Sequence, residues 1–186
     1  MLREHPPGTF DSVMLAGSWN LLDQDGLEVL LECQARGVVV HNAGVFASGV
    51  LVGGSHYKYG PASDAILARV ARWRALARAH GLPLPAVALA FALAPAVVDA
   101  CAVGVKSPDE VAAAVAWLDD AARVPHALWR DAFDQGLLAW IPDAPPSSRR
   151  HGSSRRAQTS ACHRSTRNVP GAKGSRKRWI VNCRIG

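Results

Sequence analysis

Two short stretches carry residues whose types and spacing could do chemistry. The first, HNAGVFASGVLVGG (His41–Gly54), has four glycines in fourteen residues and follows the apolar run VVV. Gly44, Gly49, Gly53 and Gly54 let backbone approach a ligand closely, and Ser48 adds a hydroxyl. A loop that only reversed the chain would need one or two glycines. The second stretch, KSPDE (Lys106–Glu110), sets Ser107 at the N-cap, Pro108 at the first helical position and Glu110 two residues on. Taken alone, that box satisfies the orphan N–H groups of a helix start. A helix N-terminus with Lys106 beside it also suits a phosphate. Glu110 opposes a phosphate there and suits a ribose hydroxyl better.

Other residues carry less. There is no G-x-G-x-x-G or Walker pattern, so neither a Rossmann nor a P-loop site is supported. His41 stands at the end of an apolar strand, where a lone histidine is more often structural than a general base. Trp19, Trp73, Trp117, Trp129 and Trp140 fall mostly at helical spacing and read as packing residues. The polar aromatic segment HYKYG (His56–Gly60) is placed to edge a pocket. Cys33, Cys101, Cys162 and Cys183 show no C-x-x-C pair and no histidine at metal-ligand spacing, so no metal site is expected. Cys33 and Cys101 lie in apolar segments, as small buried hydrophobes do, which points to a reducing, cytoplasmic compartment.

The elements that must position these stretches alternate. FDSVMLAG predicts a buried strand over Ser12–Ala16, and DQDGLEVLLECQARG a helix stopped by Gly37. VVVH is the second strand and opens into the glycine loop. ASDAILARVARWRALARAHG is the clearest helix. Ile66, Leu67, Val70, Trp73, Leu76 and Ala77 form its apolar stripe, Ser63 or Asp64 caps it, and Gly81 ends it. PAVALAFALA is a second, more apolar helix. DACAVGV is the third strand, and SPDEVAAAVAWL and PHALWRDAFDQG are further helices. Apolar strands alternating with helices predict an α/β fold with a parallel sheet, in which ligands bind at the carboxyl ends of the strands. Both chemical stretches leave strands at that end.

Charge divides the chain. Residues 1–144 hold ten Lys and Arg against fifteen Asp and Glu, a net of −5, and residues 145–186 hold eleven cations and no acid; together they give the overall +6. The tail is rich in Ser, Arg, Pro and Gly and lacks apolar periodicity, so it predicts disorder. Eleven cations would attract a polyanion such as RNA, although only one aromatic accompanies them. Such a composition is also what a GC-rich gene yields when read out of frame or through an intron, and that origin is favoured. The longest apolar run, LPLPAVALAFALAPAVV, is broken by Pro83, Pro85 and Pro95, so no membrane span is expected.

Taken in order, FDSVMLAGSWNLLDQDGLEVLLECQARGVVVHNAGVFASGVLVGG, YKYGPAS and VGVKSPDEVAAAVAWL resemble the C-terminal half of an aldo-keto reductase. The nearest branch contains D-threo-aldose 1-dehydrogenase and L-fucose or L-galactose dehydrogenase-like proteins. The resemblance runs from about Phe10 to Ile141, within residues 1–144. It implies a partial (β/α)₈ TIM barrel comprising strands six, seven and eight, from a fold of ~250 residues. It also implies an oxidoreductase using NAD or NADP on a sugar or small aldehyde. The family's catalytic Asp, Tyr, Lys and His lie on the first four strands and have no counterpart here. The chain alone is therefore expected to be inactive, and His41 is not the catalytic histidine.

By the same resemblance, Phe46 and Ser48 fall on the loop that wraps the pyrophosphate. Gly104, Val105, Lys106 and Glu110 fall at the adenosine end. Ala43 replaces an aromatic that stacks on the nicotinamide, and Ala114 an Asn that contacts the adenine. Glu110 replaces an Arg or Gln near the ribose 2′ position, which favours NAD over NADP. The rival expectation is a non-catalytic binding protein whose basic tail engages RNA or another polyanion.

Overall fold

The computed structural model describes residues 2–139, Pro142 and the backbone of 178–183. Strands β1 (Ser12–Ala16), β2 (Val39–Ala43), β5 (Val98–Val105) and β6 (Arg178–Cys183) form a sheet in that spatial order, and all three pairings are parallel. A two-residue hairpin, β3 (His56–Tyr57) with β4 (Gly60–Pro61), stands apart from it. The helices are α1 (Leu27–Arg36), α2 (Asp64–Ala79), α3 (Leu84–Leu93), α4 (Pro108–Ala121) and α5 (His126–Asp134).

Helix ends follow local chemistry. The Ser63 hydroxyl accepts the N–H of Ile66 and starts α2. Gly37 ends α1 with its N–H on the carbonyls of Cys33 and Gln34. The α2 stripe buries Val70, Trp73, Leu76 and Ala77, while Leu67 is exposed, so the stripe is narrower than its spacing predicts. Helix α3 buries residues all round, as its uniform hydrophobicity requires. Its Phe91 stacks on Trp19 with ring centroids 4.9 Å apart.

One face of the sheet is packed. Leu15, Val40, Cys101, Val103 and Val105 join the helices in a single core with Trp19, Trp73 and Trp129. Buried Asn42 donates to the carbonyls of Trp19 (3.0 Å) and Ala92 (3.3 Å), tying the end of β2 to the loop after β1 and to α3. Along the outer edge Met14 is 62% exposed. Cys33 and Cys101 are both buried, as expected. Burial pushes the Cys33 thiol above its ordinary pKa, with the Glu32 charge adding to the shift.

Three features depart from the sequence reading. The strand expected to open into a loop at His41 continues to Ala43, and the loop then contains a short 3₁₀ segment, Ala47–Val52. HYKYG forms the β3–β4 hairpin. Within the tail, Arg178–Cys183 is a strand alongside β5, where composition predicts disorder. RWIVNC holds aromatic and β-branched residues that suit a strand, and six residues do not alter the tail's average. Trp140, Cys162 and the rest of the tail lie outside the described residues. No single helix among the described residues is long and apolar enough to cross a membrane.

Candidate functional site

The carboxyl ends of β2 and β5 open into one cavity of about 610 Å³. The loop after β2 forms one wall, with Gly44, Phe46, Ser48, Gly49, Val52 and Gly54. The end of β5 and the first turns of α4 form the other, with Gly104, Val105, Lys106, Glu110, Ala114 and Trp117. All six residues singled out from the sequence (Phe46, Ser48, Gly104, Val105, Lys106 and Glu110) therefore line a single space, although up to 64 positions separate them.

The glycine wall is held in an unusual shape. Ala47 (φ 49°) and Ser48 (φ 57°) adopt the left-handed region without being glycine, and Gly49 follows at φ 94°. Such residues are costly and persist where their surroundings fix them. Buried Val45, Ala47, Val50 and Leu51 anchor the segment from below. Gly54 closes the loop through its N–H on the Gly49 carbonyl at 2.9 Å. A Cβ on Gly54 would lie 2.9 Å from that same oxygen, so only glycine allows the crossing.

The opposite wall is locally built. The Ser107 hydroxyl accepts the N–H of Glu110 at 3.2 Å, and Glu110 Oε2 accepts the N–H of Lys106 at 2.8 Å. The expected capping box is present, with the glutamate reaching one residue further back than Ser107. Lys106 Nζ stands 3.9 Å from Glu110 Oε1. The α4 N-terminus thus already holds a carboxylate, and a second anion there would meet its charge. Trp117, expected as a packing residue, does both jobs. It lines the cavity and meets Phe46 edge to face, with centroids 5.7 Å apart, joining the two walls. Spacing alone could not reveal this, because the contact depends on where the loop after β2 comes to rest.

His41 does not line this cavity. It is half-buried on β2, and its buried Nδ1 has no hydrogen-bond partner among the described residues. Ala114 is on the wall and Ala43 is not. Tyr57 and Lys58 of the hairpin edge a separate cleft of about 390 Å³ with Asp23, Asp25 and Arg69.

Known proteins resemble this chain over part of its length. Residues 6–122 match the aldo/keto reductase family. A pyridoxal 4-dehydrogenase of Microbacterium luteolum is 33% identical over 134 residues, covering 69% of this chain and 39% of that protein. A D-threo-aldose 1-dehydrogenase of Pseudomonas sp is 32% identical over 134 residues, covering 69% and 40%. The chain spans about two fifths of the length of these curated relatives. Among solved structures, the holo form of aldo-keto reductase AKR11C1 from Bacillus halodurans is similar with a TM-score of 0.49 at 24% identity, covering 60% of this chain and 36% of that one. Its apo form gives 0.48 at 26% identity, covering 63% and 40%. The family match ends before the basic tail, and nothing in it favours the polyanion-binding alternative.

Proposed function

The chain belongs to the aldo/keto reductase family, and from that premise we propose that it supplies the cofactor walls of an NAD(P)-dependent oxidoreductase acting on an aldose or a small aldehyde. In this reading β1, β2 and β5 are strands six to eight of a (β/α)₈ barrel. The observation that carries the proposal is the shared cavity: Phe46, Ser48, Gly104, Val105, Lys106 and Glu110 meet at the carboxyl ends of two parallel strands. The substrate class follows the relatives, whose names carry an aldose and the aldehyde pyridoxal. The buried free thiol of Cys33 suits a reducing, cytoplasmic setting.

The nicotinamide dinucleotide, when bound, supplies the hydride carrier. The residues fit such a ligand on structural grounds. The glycine wall lacks side chains where backbone would lie against a pyrophosphate, and the exposed Ser48 hydroxyl makes no hydrogen bond among the described residues. Lys106 adds positive charge beside the cavity. The Glu110 carboxylate is placed to accept from a ribose hydroxyl and to repel a 2′-phosphate, which favours NAD over NADP. Phe46 and Trp117 cover the space between the walls and keep it apolar. Among the described residues the lining offers no tyrosine or histidine to pass a proton, so its part is to bind and orient.

Trp117 makes the test direct. Titrating the chain with NADH should quench tryptophan fluorescence saturably. NADPH should bind about tenfold more weakly, as expected for like charges near a protein surface. No saturable quenching by a folded chain would overturn the cofactor reading. Equal affinity for both dinucleotides would remove the role given to Glu110.

A further inference from the structure

The glycine wall ends at Gly54, and the β3–β4 hairpin begins one residue later, closed by the N–H of Ala62 on the carbonyl of Ser55 at 2.8 Å. The hairpin's turn is built from Lys58 (φ 47°) and Tyr59 (φ 67°), two side-chain-bearing residues in the left-handed region. Tyr59 is fully exposed, so burial of its ring does not hold that shape. Lys58 does. Its ammonium lies 2.8 Å from Asp23 Oδ2, and the Asp23 side chain is only 6% exposed.

Asp23 is a firm anchor. Its backbone exchanges two hydrogen bonds with Asn20, at 2.8 and 3.2 Å, and its Oδ1 accepts the N–H of Asp25 at 3.1 Å. Buried Asn20 accepts the N–H groups of Leu22 and Asp23 on Oδ1 and donates to the carbonyl of Gly17. Arg69, from α2, donates to the carbonyls of Leu22 and Leu137. The loop after β1 is thus fixed independently of the hairpin. A buried carboxylate with one ammonium partner is costly to leave unpaired, so the pair draws the hairpin down.

We propose that Asp23 and Lys58 form a clasp that joins the loops after β1 and β2 and fixes the far end of the cavity's glycine wall. They are positioning residues: neither lines the cavity, yet Lys58 lies four residues beyond Gly54, which does. The effect on a dinucleotide rests on the cofactor reading above; the effect on the wall does not.

The test uses the full 186-residue chain. Hydrogen exchange of amides 45–54 is compared in wild type, Lys58→Met, Lys58→Arg and Asp23→Asn. The last variant removes the charge without stranding a buried carboxylate. The clasp predicts that Lys58→Met and Asp23→Asn speed exchange of this segment about tenfold while amides of β2 and α2 keep theirs. Lys58→Arg should retain most of the protection. Unchanged exchange over 45–54, or an equal rise throughout the sheet, would overturn the clasp. NADH release should quicken about tenfold in Lys58→Met and little in Lys58→Arg. If wild type binds no NADH, the cofactor reading fails while the exchange comparison still decides the clasp.

Discussion

The two walls of the cavity are made in opposite ways. The wall at the start of α4 is written in its own five residues. Ser107 and Glu110 satisfy the helix start between them, and each of their hydrogen bonds spans at most four positions. The wall after β2 is imposed from outside. Its left-handed Ala47 and Ser48 are held by buried Val45, Val50 and Leu51, by the Gly49–Gly54 crossing, and by an ion pair reaching 35 residues back to Asp23. A locally encoded wall should lose little when one contact goes. A wall shaped by its surroundings should lose its form as a unit.

The sharpest way to break the comparison is Gly54→Ala. The new Cβ would sit 2.9 Å from the Gly49 carbonyl oxygen and 3.1 Å from its carbon, both backbone atoms that cannot swing aside. The cost should be about 1–3 kcal/mol by denaturant unfolding, as for other overpacked sites. Dinucleotide binding should fall further than stability does, because the whole wall moves. A cost below about 0.5 kcal/mol with binding retained would show the wall to be pliable.

Ser107→Ala is the matching change on the other side. Losing the cap hydroxyl should cost about 1 kcal/mol. Glu110 would still reach the N–H of Lys106, so the wall should keep its place and NADH affinity should change by less than about threefold. A loss of affinity as large as that of Gly54→Ala would erase the distinction between the walls.

Acid titration probes the imposed wall more gently. Burial alone would raise the Asp23 carboxyl, but the Lys58 hydrogen bond and charge, the N–H of Asp25 and the charge of Arg69 bring it below its ordinary 3.8. A depressed folded pKa contributes stability above the unfolded value and loses it as pH falls through the folded one. Lys58 is raised above 10.5, chiefly by its hydrogen bond to Asp23, with the Tyr57, Asp23 and Asp25 charges adding and its own desolvation opposing. Its contribution is therefore lost only as pH rises past that value. The clasp should hold between about pH 4 and 10. Protection of amides 45–54 should fall below pH 3.8 in wild type, more steeply than in Asp23→Asn.

The same division explains what the sequence made legible. Three parallel strands and the caps of α2 and α4 follow from periodicity and short-range chemistry, and the six lining residues from local motifs and the family resemblance. The Asp23–Lys58 pair and the Phe46–Trp117 contact join residues 35 and 71 positions apart, and no local pattern announces them. The left-handed backbone at Ala47 and Ser48 was hidden for a further reason. Neither residue type advertises that conformation, and it exists only because the surroundings enforce it. Strand Arg178–Cys183 was masked by the charge around it.

The smallest effect tests that enforcement, and its sign matters more than its size. Ser48 is exposed, sits at φ 57° and makes no side-chain hydrogen bond among the described residues, so Ser48→Gly removes strain without emptying the core. Relief of about 1–2 kcal/mol against glycine's entropy cost of roughly 0.5–1 leaves a gain of about 0.5 kcal/mol. Ala112→Gly, at an exposed position inside α4, should instead lose about 1 kcal/mol. If the Ser48 hydroxyl serves the ligand, Ser48→Gly will be the more stable protein and the weaker NADH binder, the exchange expected where a strained residue is kept for binding. A variant that gains stability and keeps its affinity would show that the strain at Ser48 serves the loop's shape and that its hydroxyl takes no part in binding.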